Sequence, residues 1–198
     1  MLKPNGYDEA KAQGEFIPVE LGGHQMIIKQ VNEKLNKNNQ PMIVVEFDFA
    51  ANDKQPGYFA EQLKNDIRPD KKWSNQATQY INVYDSDGKT SRAFKTFTTC
   101  VEHSNTGFET QWGDNFCQQF TGKKIGGVFG EQMDYYNGKE IKKRVLRWFV
   151  SAEKVDDAQI PDMTETAAYK EYKNNAAIAN NGGFMSIPDG IGEELPFN

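Results

Sequence analysis

Asn137-Gly138 sits between two runs with strand character, residues 131–136 before it and 139–151 after it. A two-residue Asn-Gly loop between such runs is the strongest short signal for a β-hairpin, because both turn positions need positive φ. It commits this part of the chain to two adjacent antiparallel strands. The first arm begins as FTGKKIGGVFG over residues 120–130. Gly126, Gly127 and Gly130 there predict bulges or close approach of another backbone. The second arm, 141–150, carries Val145, Leu146, Trp148, Phe149 and Val150, residue types that favour strands. Trp148 and Phe149 are neighbours, so they point to opposite faces and at least one belongs to the core.

A second hairpin is expected upstream. Ile43, Val45, Phe47 and Phe49 alternate with Glu46 and Asp48, which reads as a strand over 42–50 with one apolar face. Residues 23–31 form its partner, and the Asn- and Lys-rich segment 32–41 is the connection. Residues 51–77 are broken by Pro56, Gly57 and Pro69 and read as a loop excursion with one helical turn near 58–64. A short strand is expected at 79–84, followed by the turn and cap cluster Asp85-Ser86-Asp87-Gly88. Ala93, Phe94, Phe97 and Val101 then recur at spacings of three and four, predicting a helix over 90–102 that stops near Gly107. Farther on, Asp162 and Glu165 have capping-box spacing ahead of a short helix with Tyr169, Tyr172 and Ala176 on one face.

The order is hairpin, excursion, short strand, helix, hairpin. This fits a mainly β chain, an OB-fold-like five-stranded barrel with one helix before the last hairpin. An α+β sandwich fits the same order. We expect residues 1–155 to form the domain and 156–198 a C-terminal extension, with a flexible break at 180–183.

Charge is distributed unevenly. The 198 residues hold 23 Lys+Arg and 28 Asp+Glu, a net of −5. Residues 1–150 contain 20 basic and 19 acidic residues, net +1, and residues 151–198 contain 3 and 9, net −6. An acidic tail therefore follows a nearly neutral body. No stretch approaches the roughly 20 apolar residues of a membrane span. The N-terminus MLKPNGYDEA lacks an apolar run behind a basic head, as a signal peptide would have. A cytoplasmic protein with reduced Cys100 and Cys117 is the expectation.

Catalytic motifs are absent. There is no HExxH, GxSxG, CxxC or P-loop spacing, and the two cysteines and two histidines form no recognised zinc pattern. No enzyme activity, cofactor or metal is expected. The pattern that points to binding is basic and aromatic interleaving. Lys139, Lys142, Lys143, Arg144 and Arg147 face only Glu140 in residues 139–147, a local net of +4. Lys123 and Lys124 lie on the other arm, with Tyr135, Tyr136, Trp148 and Phe129 around them. Lys71, Lys72 and Trp73 repeat the theme, followed by Tyr80 and Tyr84. Single-stranded nucleic acid suits this mixture: cations follow the phosphates, and aromatic faces stack exposed bases. Alternating Lys and Arg on a strand also serves simply as a solvated, aggregation-resistant edge.

The end of the chain, GEELPFN, pairs Glu193 and Glu194 with Leu195, Pro196 and Phe197. Two apolar anchors stiffened by a proline, behind two carboxylates, suit a pocket with a basic rim on a protein partner.

These residues carry a resemblance. The tip Glu193-Glu194-Leu195-Pro196-Phe197 is similar to the acidic C-terminal tip of bacterial and phage single-stranded DNA-binding proteins. The body resembles a group of bacteriophage and prophage single-stranded DNA-binding proteins, through NQPMIVVEFD at 39–48, FKTFTTCVEHSN at 94–105, TGKKIGGVFGE at 121–131 and the Asn137-Gly138 turn. The sequence departs from the usual tip in carrying Asn198 after Phe197. The resemblance implies an OB-like barrel, a role in phage DNA replication or recombination in a bacterial host cell, and a tail that recruits host or phage replication proteins. A homo-oligomer is compatible with it. The alternative is a protein-interaction adaptor on the same scaffold that reads no nucleic acid.

Overall fold

A computed structural model describes residues 1–5, 7 and 17–180, with side chains through residue 176 in the last helix. The elements are β1 (Gly22–Leu35), β2 (Pro41–Phe49), α1 (Tyr58–Asn65), β3 (Thr78–Asn82), α2 (Arg92–Ser104), β4 (Lys124–Tyr136), β5 (Lys139–Val150), β6 (Thr164–Glu165) and α3 (Ala167–Asn180). The strands form one sheet in the order β3-β2-β1-β4-β5, with β6 added alongside β4. The mainly β architecture, both long hairpins and the helix ahead of the last pair are as the sequence predicts. The expected barrel needs one correction. Among the described residues no ladder joins β3 to β5, so the sheet is open.

β1 is paired on both sides. Residues 22–27 run antiparallel to β4, and most of β1 from Met26 onward runs antiparallel to β2. Its buried side chains are His24, Met26 and Ile28, and the next is Val31. The step from two residues to three coincides with a register shift between Ile28 and Gln30. A bulge there moves Val31 back to the inner face and bends the strand, letting it serve two neighbours.

β2 is buried on both faces, for two reasons. Ile43, Val45, Phe47 and Phe49 enter the core as predicted. Asp48, expected on the opposite face, is buried there by α1. Its Oδ1 accepts from Phe59 N at 2.9 Å and its Oδ2 from Ala60 N at 3.1 Å. Gly57, which precedes α1, offers no side chain for these orphan N–H groups, so the strand carboxylate caps the helix.

α2 is capped by Ser91, whose Oγ accepts from Phe94 N at 3.1 Å, rather than by the Asp85–Gly88 cluster. That cluster instead makes a turn in which Asp85 accepts from Asp87 N and Lys89 N. Phe94, Phe97, Thr98 and Val101 are buried, whereas Ala93, expected in the same stripe, is exposed. At the far end, Asn105 clips the helix to β4. Its amide donates to Val101 O and Lys124 O, and its Oδ1 accepts from Lys124 N.

His24 is fully buried, stacked on Phe49 with ring centroids 4.1 Å apart. Nδ1 meets Asp53 Oδ1 and Nε2 meets Glu20 O, each at 2.9 Å. Both partners are acceptors, so the ring serves them both only as a double donor. Asp53 also accepts from Gln25 N and Gln55 N. Burial works to raise its pKa, but the His24 ring and these backbone N–H groups outweigh it and hold the carboxyl below its ordinary value.

The predicted glycines are crowded chiefly by side chains: Gly127 and Gly130 meet side-chain atoms alone, and Gly126 meets both side chains and the Ser151 carbonyl. A Cβ on Gly126 would lie 2.6 Å from Val155 Cγ1, and one on Gly130 would lie 2.5 Å from Pro161 Cγ. Gly23, across the β1–β4 pairing, leaves even less room: a Cβ there would lie 1.9 Å from the Val155 carbonyl oxygen.

The chain divides into two units, Met1–Glu131 with Arg144–Met163, and Gln132–Lys143 with Thr164–Asn198. The second unit holds the hairpin turn, where Asn137 and Gly138 both have positive φ (51° and 76°). β6 pairs in parallel with Gln132 and Met133. Thr164 and Glu165 are therefore strand, and the predicted capping box does not form. Thr166 caps α3 instead, accepting from Tyr169 N and donating to Asp134 Oδ1.

Two outcomes are expected. Gly23→Ala forces the Val155 backbone aside and should destabilise by about 1–3 kcal/mol, seen as a lower urea midpoint. A carboxyl held low in the folded state adds stability above its unfolded value, near 3.9, and loses it as pH falls through the folded value. The wild type should therefore lose stability below about pH 4. Asp53→Asn should be less stable at neutral pH and lose less on acidification, measured by urea midpoints across pH.

Candidate nucleic-acid interface

The open edges of β3 and β5 define a seam in the first unit. At one end Gln76 Nε2 donates to Arg144 O at 2.7 Å and bridges it. Farther along, the strands separate around a cleft of about 120 Å³. Ile81, Leu146 and Phe149 are its buried apolar lining, and Gln79, Trp148 and Arg147 stand beside them. α2 adds Ala93 and Thr96. Residue numbers rise together on both sides of the seam, from 76 to 81 and from 144 to 149.

Of the two neighbours on β5, Phe149 goes to the core and Trp148 stays 45% exposed. On β3, Tyr80 is 58% exposed, next to buried Ile81. It stands opposite Val44, which in turn pairs with Asn32 of β1. This row lies on the face turned away from the core. Tyr84 is exposed just beyond β3, held by a bridge to Thr90. Lys71, Lys72 and Lys124 are exposed.

Other predicted residues of this unit have structural duties. Trp73 packs against the core and its indole N–H donates to Ala77 O at 3.3 Å. Lys123 lies over the Phe108 ring, 4.6 Å from its centroid. The Arg144 guanidinium donates to Val19 O, tying the segment before β1 to β5. Arg147 donates to Asp162 O at 3.4 Å.

In the second unit, Tyr135 stacks on Tyr172 of α3 with centroids 4.0 Å apart and planes 9° from parallel, so one of its ring faces is occupied. Tyr169 lies beside Tyr172 and its hydroxyl donates to Glu140 at 3.2 Å. Lys143 pairs with Asp134, and that hydrogen bond, with the one from Thr166, holds the Asp134 carboxyl below its ordinary value. Tyr136 and Lys142 are exposed. The tip, Glu193, Glu194, Leu195, Pro196 and Phe197, lies outside the described residues.

Sequence reasoning missed two features. Gln79 and Thr96 enter the cleft only because β3 and α2 meet there, and neither type carries a sequence signal. Trp112 is 71% exposed and stacks on Phe116, centroids 5.1 Å apart and planes 16° from parallel. A tryptophan inside the polar loop TQWGDN was the signal available for it.

Cys100 and Cys117 are free thiols. Burial pushes Cys100 up to about 11 and raises Cys117 as well, which suppresses the nucleophilic thiolate. Among the described residues no His, Cys, Asp and Glu side chains gather as a metal site, and no helix is long and apolar enough to cross a membrane. No known family's sequence model matches the chain, and no curated protein sequence matches it.

The exposures make a direct prediction. Acrylamide should quench Trp112 most strongly and Trp73 least, so Trp112→Phe should lower the Stern–Volmer slope of the protein and Trp73→Phe should raise it.

Proposed function

We propose that this protein binds single-stranded DNA with little sequence preference, and that it does so in bacteriophage DNA replication or recombination in the cytoplasm of a bacterial host. The observation that carries the reading is the placement of Tyr80 and Trp148. Tyr80 and Trp148 remain in solvent on the two strands that border the open seam, while phenylalanine and other large apolar side chains fill the core. Aromatic faces in water on a sheet suit unstacked bases, each worth about 1–3 kcal/mol by alanine substitution. Exposed Lys71, Lys72 and Lys124 supply cations for the phosphates. A partly open five-stranded sheet is a known platform for such strands. In this reading the acidic tip from Glu193 to Phe197 recruits replication proteins, its carboxylates meeting a basic rim and its apolar residues a pocket.

A second reading rests on Trp112. Its stack with Phe116 stands in a stretch, 96–122, that contains no Lys or Arg and includes Glu102, Glu109 and Asp114. Such a surface suits a protein better than DNA. An adaptor without nucleic-acid binding would use it.

Titration with oligo(dT) at low salt should quench tryptophan fluorescence, and duplex of equal length should not. Tyr80→Ala and Trp148→Ala should each weaken binding by about 5- to 100-fold. Replacing Lys71 and Lys72 with Ala should reduce the slope of log affinity against log salt by about 0.7 for each phosphate the protein no longer neutralises. An absence of oligo(dT) binding at low salt would leave the adaptor reading.

A further inference from the structure

Trp112 takes no part in the single-stranded DNA reading, yet the fold holds it firmly. A turn in which Phe116 N donates to Gly113 O at 3.0 Å folds Phe116 back onto Trp112. The two rings stack with centroids 5.1 Å apart and planes 16° from parallel. Phe94, a core residue of α2, stands beside both, 5.8 Å from Phe116 and 6.2 Å from Trp112. The residue before Trp112 is clamped as well. The Gln119 side-chain amide accepts from Gln111 N and donates to Gln111 O and to Phe116 O, each at 2.7 Å. A further bond, from Thr110 N to the Glu102 carboxylate at 3.1 Å, ties the loop to α2. An indole that stays 71% exposed is therefore carried by a loop whose conformation is already set, which lowers the ordering cost of docking. Tryptophan is also the residue type that most often anchors a protein interface.

Charge narrows the occupant. One face of the indole is covered by Phe116 and the other is open. That open face carries negative potential and is the best aromatic partner for a cation. Asp114 occupies a corner of the Gly113–Phe116 turn, and Glu109 lies three residues before Trp112. Both are exposed, and neither carboxylate has a hydrogen-bond or ion-pair partner among the described residues. Glu102, the third acid of the stretch, is already engaged by Thr110 N and by the charge of Lys95. Residues 96–122 contain no Lys or Arg. A nucleic-acid strand or an anionic lipid surface is repelled by such a loop. An apolar side chain laid on the indole would crowd the carboxylates and offer them no counter-charge. A guanidinium suits both features, because it stacks flat on an aromatic face and takes a carboxylate through paired N–H donors.

We infer that Trp112, with Glu109 and Asp114, is a docking surface for an arginine-bearing basic segment of a protein partner, the guanidinium lying on the open indole face. This rests on the protein-partner use of the loop named above, not on the single-stranded DNA reading, and it holds whether or not the sheet binds DNA.

The experiment follows the indole N–H signals of the full-length protein, isotope-labelled at tryptophan, by NMR. The chain has three tryptophans, Trp73, Trp112 and Trp148, and the signal missing in Trp112→Phe identifies Trp112. The probe is a short capped peptide of glycine, serine and two arginines, with control peptides carrying leucine or glutamate in place of arginine. Residues 151–198, with 3 basic and 9 acidic side chains, also attract a basic peptide, so the readout is the Trp112 signal and not total binding. The arginine peptide should move that signal saturably and leave those of Trp73 and Trp148 in place. The leucine and glutamate peptides should move none of them at the same concentrations. Glu109→Gln combined with Asp114→Asn removes two carboxylates that bond nothing in the fold, and should weaken the response to the arginine peptide by about 2- to 30-fold. A Trp112 signal that does not shift, an equal shift with the leucine peptide, or an undiminished response in the double variant each overturns the inference. Oligo(dT) should leave the Trp112 signal where it is; a shift there assigns the loop to DNA and overturns the inference too. An absence of any response to oligo(dT) removes the DNA reading alone.

Discussion

The architecture depends on β1 having two neighbours. One strand pairs with β4 through its first six residues and with β2 through most of the rest. Along it the ladder to β2 shifts register at Lys29, a bulge that bends the strand. Without it, period-2 alternation would send Val31 outward and part the two halves of the core. Around this strand lie the constraints that keep β4 close. Gly23 and Gly126 leave room for the Val155 segment, and His24 ties the first part of β1 to Asp53 in the loop after β2.

The bend brings the outer strands of the sheet round to face each other without joining them. β3 and β5 are separated from β1 by one strand each, on opposite sides. The gap between them is bridged at Gln76 and open at Gln79. α2 lies along that gap because Phe94, Phe97 and Val101 pack into the core while Asn105 fixes its end to β4. The same packing leaves Ala93 and Thr96 on the side of the cleft. A sheet edge is ordinarily a liability. Here two edges and a helix make a recess lined by an indole and an amide.

Much of this was legible in the sequence. The Asn137-Gly138 turn, the alternation from Ile43 to Phe49 and the stripe Phe94, Phe97, Val101 are local patterns, and each produced its element within a few residues. The tyrosine face of α3 was legible too: Tyr169, Tyr172 and Ala176 are the shielded positions of that helix among its described side chains, 167–176. What failed were assignments that depend on a distant partner. Asp48 looked like a solvent-facing carboxylate and is buried because α1 needs a cap. Asp162 and Glu165 had capping-box spacing, but Thr164 and Glu165 were taken up by β4 as a short strand. Trp73 and Tyr135 looked available for stacking, and one is packed against the core while the other lies against Tyr172. Composition and spacing identify an aromatic side chain but not whether its face is already covered.

The sequence by itself determined the order of the strands and helices, the place of the Asn137-Gly138 hairpin turn, and the contrast between a nearly neutral body and an acidic end. These follow from short-range rules: two-residue periodicity, three-to-four-residue periodicity, and the φ that glycine and asparagine tolerate. The tertiary structure alone decided which aromatic rings reach solvent, that the sheet stays open between β3 and β5, and that Gln79, Thr96 and Trp148 border one recess. Residues 79, 96 and 148 are far apart in the chain, and their meeting depends on the bend in β1 and the seating of α2. No local rule encodes a distance between residues that only a folded core brings together.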